Sequence, residues 1–153
     1  MLRKAVFPGT FDPFTLGHES IVRKALPLFD EIIVAVGKNS TKNALYDMET
    51  RIEWIKATFK DAPTVSVDSY TGLTVDYCKS TQSNFILRGL RNPQDFQYES
   101  AIEQMNHALS PDVTSVFLVC EARLAAISSS IVREIIKNGG DASQFLPAAI
   151  KIS

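Results

Sequence analysis

Hydrophobic and polar positions fall into two kinds of block along the chain. Short β-branched and apolar runs occur at Ala5-Val6-Phe7, Ile32 to Val36, Val65-Ser66-Val67, Phe85-Ile86-Leu87 and Val116 to Val119. Each predicts a strand, and the nearly unbroken second and fifth runs predict strands covered on both faces. Between them, apolar residues recur at helical spacing. Ile21, Ala25 and Leu28 share one face after Gly17-His18, and Ile52, Ile55 and Phe59 share another behind an Asp47 N-cap. Val75 and Cys78 form a shorter patch after Gly72. Phe96, Ile102, Met105 and Leu109 support a long helix that must stop by Pro111. Ile131, Ile135 and Ile136 follow three serines, with Gly139-Gly140 as a left-handed stop. Strict alternation of strand and helix predicts an α/β domain. The expected form is a single-domain, Rossmann-like, doubly wound five-stranded parallel sheet over residues 1–153, with helices on both faces.

Composition narrows the field without naming a function. With 45% hydrophobic and 22% charged residues, the chain is average for a globular domain. Its formal net charge of −1 advertises no general affinity for nucleic acid. No apolar run reaches the ~20 residues of a membrane span, and the first residues lack a signal-peptide pattern. Cys78 and Cys120 belong to no CxxC motif and read as reduced thiols. A cytoplasmic protein with no membrane partner is the expectation.

Ligands of parallel sheets bind beyond the carboxyl ends of the strands, so the residues that follow each run are the informative ones. The first run is followed by Pro8-Gly9-Thr10 and then by Gly17-His18 at a helix mouth. After the others come Lys38 and Lys42, then Thr71-Gly72-Leu73-Thr74, then Arg88 to Arg91, then Glu121, Arg123 and Ser128-Ser129-Ser130. Five cations and two helix N-termini gathered on one edge describe a pocket for several phosphates. No GxxxxGK[ST] and no GxGxxG after the first strand are present, which removes P-loop NTPases and weakens dinucleotide oxidoreductases. His18 at the helix mouth can donate to a phosphate oxygen that gains charge during transfer. The helix dipole there favours a neutral imidazole. Asp12-Pro13 reads as a turn, with Asp12 a weaker candidate for a magnesium contact. Trp54, Phe59 and Phe29 read as core, and His107 as a surface or subunit-contact residue. Glu99 is either an exposed helix carboxylate or a contact to a ribose or a magnesium-bound water.

The stretch GTFDPFTLGH carries Thr15-Leu16-Gly17-His18, which resembles the T/HxGH element of the nucleotidylyltransferase superfamily. Together with ILRGLRNPQDFQYE and ISSSIVREIIKNGGDASQFLP, in order and in register, it resembles the bacterial phosphopantetheine adenylyltransferase family over nearly the whole chain. The resemblance implies adenylyl transfer from ATP to 4′-phosphopantetheine with Mg²⁺, giving dephospho-coenzyme A and pyrophosphate in a homohexamer. Carried over by position, it implies that Thr10 and His18 contact the reacting phosphate, with His18 stabilising the transition state. It implies that Lys42, Thr74 and Arg88, with Thr10, hold the acceptor. Phe11, Gly89, Leu90, Arg91, Glu99 and the segment Leu124, Ala125, Ala126, Ile127, Ser128, Ser129, Ser130 would contact ATP. Met105 and Asn106 match positions near the pantetheine arm.

Thr74 stands where the family often has Leu or Met, and Leu124-Ala125-Ala126 where it often has an aromatic residue. The acceptor phosphate is already ionised, so positioning and charge stabilisation are the whole of the chemistry, and no side-chain nucleophile is required. Two other readings stay open. One is a superfamily enzyme acting on another phosphorylated acceptor, such as nicotinate mononucleotide or glycerol phosphate; the other is a non-catalytic nucleotide-binding module.

Overall fold

A computed structural model describes residues 1–38 and 43–152. Five strands form one parallel sheet in the order β3-β2-β1-β4-β5. They are β1 (Lys4–Gly9), β2 (Glu31–Gly37), β3 (Val65–Tyr70), β4 (Phe85–Leu90) and β5 (Thr114–Val119). Each of the five apolar runs lies inside one of them. The helices are α1 (Leu16–Ala25), α2 (Met48–Thr58), α3 (Thr74–Ser80), α4 (Pro93–Leu109) and α5 (Ser129–Lys137). The strand order reverses beside β1, so the switch point of the sheet falls between β1 and β4.

Two cores sandwich the sheet. On one face, Phe7, Val34, Val36 and Leu87 meet Ile21, Val22 and Ala25 of α1, Ile55 of α2 and Val132 of α5. On the other, Val6, Ile33, Ala35 and Ile86 meet Val75 and Cys78 of α3. Local chemistry starts the helices where the sequence places them. Asp47 accepts from Thr50 N at 2.8 Å to cap α2, and Ser128 accepts from Ile131 N at 3.2 Å to cap α5. Gly139 adopts φ +78°, the left-handed stop after α5. Cys78 and Cys120 are both buried free thiols.

Two expectations need correction, and the pattern leaves the direction of one helix face open. β5 is an edge strand, only half-buried in its middle and with Val119 exposed, because the sheet ends there. Leu28 lies beyond the end of α1 and is exposed. The apolar residues of α4 join neither core: Met105 and Leu109 are exposed, Phe96 is half-exposed against Phe117, and Ile102 lines the second lobe of the cleft described below. The side of α4 that is turned inward carries Asp95, Glu99, Glu103 and Asn106. Periodicity identified an apolar face correctly but could not say which way that face points.

Candidate active site

The site begins as a gap in the sheet. β1 stays paired with β2 as far as Gly9↔Val36, yet pairs with β4 only at Ala5↔Phe85 and Val6↔Ile86. Beyond these residues the strands part and a cleft of ≈ 690 Å³ opens at their carboxyl ends. Pro8 to Asp12, Gly17-His18, Arg88, Arg91 and Ser128 to Ser130 line it. A second lobe of ≈ 240 Å³ is lined by Gly37, Tyr70, Thr74, Glu103, Asn106 and Ser115 among others. The two lobes share Thr10, Arg88, Tyr98 and Glu99.

The loop after β1 is held from several directions. Arg51 Nη1 donates to Thr10 O, Arg133 Nη1 to Asp12 O and Ser129 Oγ to Pro13 O, each at 2.8 Å. Both carboxylate oxygens of Asp12 are engaged, accepting from Leu45 N at 2.7 Å and Tyr46 N at 2.9 Å. Asp12 therefore anchors the loop to the segment before α2. Phe11 sits at φ +51° with its ring laid over Gly9, where a Cβ would fall 2.7 Å from Phe11 Cζ. Only glycine fits beneath that ring.

His18 is the third residue of α1 and closes a reciprocal cap. Thr15 N donates to His18 Nδ1 at 3.0 Å, and His18 N donates back to Thr15 Oγ1 at 3.4 Å. An imidazole that accepts at Nδ1 carries its proton on Nε2, leaving Nε2–H as the free donor. Phe7, Phe11 and Phe14 surround the ring. Burial first, then the charges of Arg88 and Arg91, push its pKa down to about 3. The neutral donor expected from the sequence is present, and burial rather than the helix dipole is the main cause.

The two arginines of RGLR are each oriented by an acid from α4. Arg88 makes a two-pronged contact with Glu99, Nε to Oε2 at 2.9 Å and Nη2 to Oε1 at 2.7 Å. Its Nη1 donates to Pro8 O at 2.6 Å, across the gap where β1 and β4 have parted. A guanidinium has five N–H groups, so two remain for a ligand. Arg91 Nε lies 3.4 Å from Asp95 Oδ2, whose oxygen also accepts from Arg91 N at 2.9 Å. Glu99 is thus buried and paired, not an exposed carboxylate.

Of the residues singled out in the sequence, Thr10, Phe11, His18, Arg88, Gly89, Arg91, Glu99 and Ile127 to Ser130 meet in the main lobe. Thr74 and Asn106 line the second lobe, where Thr74 Oγ1 and Tyr70 Oη are hydrogen-bonded at 2.9 Å. Leu90, Met105 and Leu124 to Ala126 line neither, and the Leu124 side chain is in the core. Arg123 is also outside, exposed and paired with Glu121 at 2.9 Å. Lys38 lines neither lobe, and Lys42 lies outside the described residues. Sequence reasoning missed Arg51 and Arg133 because both act through carbonyls far away in the chain. A buried arginine in an otherwise ordinary helix leaves no local signal. The Ser129 hydroxyl is committed to the loop, so at that position the helix start has its backbone N–H for a ligand.

Comparison with known proteins agrees with this geometry. A cytidylyltransferase-like family model matches residues 6–135. The phosphopantetheine adenylyltransferase of Flavobacterium psychrophilum is 53% identical over 151 residues, covering 99% of each chain. That of Flavobacterium johnsoniae is 49% identical over the same span and coverage. Among solved structures, a bifunctional NMN adenylyltransferase/ADP ribose pyrophosphatase from Francisella tularensis superposes with a TM-score of 0.74 at 17% identity. It covers 98% of this chain, which spans 46% of that longer one, and the likeness is one of fold. On full-length identity, matching family model and shared fold together, the chain belongs to the phosphopantetheine adenylyltransferase family of cytidylyltransferase-like nucleotidyltransferases.

Proposed function

We propose that this chain transfers the adenylyl group of ATP to 4′-phosphopantetheine, releasing pyrophosphate and forming dephospho-coenzyme A. The observation that carries this reading is the meeting of the two lobes at Thr10 and Arg88, with a neutral His18 in the larger lobe. ATP occupies the larger lobe, its terminal phosphates beside Arg91 and the start of α5. The acceptor occupies the smaller lobe with its phosphate on Arg88, where Lys42 is its expected second cation. Attack is in line on the α-phosphorus, and no covalent enzyme intermediate forms. His18 Nε2–H donates to the phosphoryl oxygens as the transition state gathers charge there. Arg51, Arg133 and Ser129 hold the Thr10 to Pro13 loop still while this happens.

Mg²⁺ enters this reading as a ligand of the nucleotide phosphates, the usual habit of that ion. Among the described residues no group of three or more His, Cys, Asp or Glu could cage it, and both Asp12 oxygens are engaged. The ion would thus be held mainly by the phosphates and by water, where it would offset phosphate charge.

A homohexamer is part of the same proposal, supported by the outward apolar face of α4 beside the β5 edge. Met105→Glu is expected to dissociate the assembly in light scattering. A cytoplasmic location accords with the absence, among the described residues, of any helix long and apolar enough to cross a membrane. The deciding experiment is pyrophosphate release from ATP with 4′-phosphopantetheine or nicotinate mononucleotide as acceptor. Release with the first alone supports the reading. Turnover of the second instead, or of neither, overturns it.

A further inference from the structure

The inward face of α4 presents three acids at successive i, i+4 positions, Asp95, Glu99 and Glu103, and they are not equivalent. Asp95 holds Arg91 and Glu99 holds Arg88. Glu103 is next in the row and holds nothing. Its Oε2 is buried without a hydrogen-bond partner, the one such side-chain atom among the described residues. The large majority of buried acceptors in folded proteins are satisfied, so an exception that lines a ligand cleft points to a donor on the ligand. Glu103 lines the second lobe, so the position of the missing donor is set: it belongs to whatever fills that lobe.

We infer that Glu103 is a specificity-determining residue for the acceptor's arm, accepting a hydrogen bond from an amide N–H or hydroxyl and repelling an arm that ends in a carboxylate. The inference rests on the function proposed above and deepens it. Charge supports it. Among the lobe's described lining residues the charge-bearing side chains are those of Arg88, Glu99 and Glu103. The first two neutralise each other in the two-pronged contact, so Glu103 sets the sign of the rest of the lobe. None of the uncharged polar side chains of the lobe, Tyr98, Asn106 and Ser115 included, donates to Glu103 Oε2. An incoming carboxylate would therefore meet Glu103 in a confined space, with Arg88 already committed to Glu99 and to the acceptor phosphate. A neutral arm with N–H groups would complete the one unsatisfied acceptor. A site with a buried polar group discriminates strongly against a ligand that leaves that group unpaired.

The test compares 4′-phosphopantetheine with 4′-phosphopantothenate, whose arm ends in a carboxylate where the other continues through a second amide. Wild type, Glu103→Gln and Glu103→Ala are assayed for pyrophosphate release with both acceptors, alongside their thermal unfolding. Glu103→Ala is expected to raise KM for 4′-phosphopantetheine about tenfold, with kcat and the KM for ATP unchanged. Glu103→Gln keeps an acceptor atom without the charge. It is expected to leave KM for 4′-phosphopantetheine nearly as it was and to relax the preference over 4′-phosphopantothenate by about tenfold. Unchanged KM in the alanine variant, or unchanged preference in the glutamine variant, overturns the assignment while leaving the proposed function standing. A wild-type enzyme inactive with 4′-phosphopantetheine removes the proposed function, and this inference with it.

Discussion

Helices α1 and α4 both lie beside the cleft, yet they use their inward faces in opposite ways. α1 turns Ile21, Val22 and Ala25 into the core and gives the site its first turn, ending at His18, with Ile21 as an apolar wall. α4 turns Asp95, Glu99, Glu103 and Asn106 inward and leaves Met105 and Leu109 exposed. One helix holds the fold together and contributes a single donor. The other orients two arginines, lines the second lobe and carries exposed apolar residues on its outer face. Their energies should therefore separate. Damage to the inner face of α1 should appear as lost stability, and damage to the inner face of α4 as altered binding.

The largest effect belongs to the first turn of α1. His18→Ala removes a preorganised donor to charge that develops only in the transition state, a loss of roughly 10²–10³ in turnover, on the order of 3–4 kcal/mol. kcat and kcat/KM should fall together while ATP affinity measured by calorimetry stays nearly intact. Normal turnover, or failure through lost ATP binding, would make the helix mouth structural and erase its difference from the rest of α1.

Val22 sharpens the contrast from the core side. Its side chain is fully buried between α1 and the sheet. Val22→Ala should cost about 2 kcal/mol in denaturant unfolding, with kcat per folded molecule unchanged. A comparable loss of kcat at full folding would mean that α1 is coupled to the chemistry along its length.

On α4, Glu99→Gln can no longer grip both Arg88 nitrogens, so the guanidinium loses its fixed plane. KM for 4′-phosphopantetheine should rise about tenfold, with little change in thermal stability. An unchanged or lower KM would show that Glu99 masks Arg88 rather than aiming it. A large drop in stability would place α4 in the same class as α1.

The same contrast explains what could be read from the chain alone. All five strands, the Asp47 and Ser128 caps and the Gly139 stop are local patterns, and each lies where the pattern put it. The rule that ligands gather at strand carboxyl ends then brought Thr10, His18, Arg88, Arg91 and the serines to one cleft. What stayed hidden depends on distance or direction. Arg51, Ser129 and Arg133 reach the loop after β1 across separations of 41, 116 and 121 residues. The outward turn of α4 was unreadable for another reason. A helix with one polar and one apolar face looks the same whether a core or another subunit covers the apolar one. Glu103 carried no signal of its own, since its meaning comes only from Asp95 and Glu99 having partners.

The smallest expected effect is a flat one, and it tests the electrostatics of the α1 terminus. An exposed imidazole gains its proton near 6.5, whereas folded His18 resists until about 3. Between those values the unfolded chain binds more protons. His18 therefore contributes stability that is fully present above 6.5 and lost as the pH falls toward 3. In catalysis the same depression keeps Nε2–H neutral and in place throughout the working range. The pH profile of kcat/KM should show no His18 limb between about pH 5 and 8, and an acid limb there should follow the acceptor phosphate when the acceptor is changed. The chain has two histidines, so His107→Gln leaves one imidazole to follow by NMR. Its signal should hold the Nε2–H tautomer across that range. A resonance that titrates above pH 5 would put an imidazolium in the cleft. The mouth of α1 would then act by charge, as the inner face of α4 does, and the division of labour between the two helices would fail.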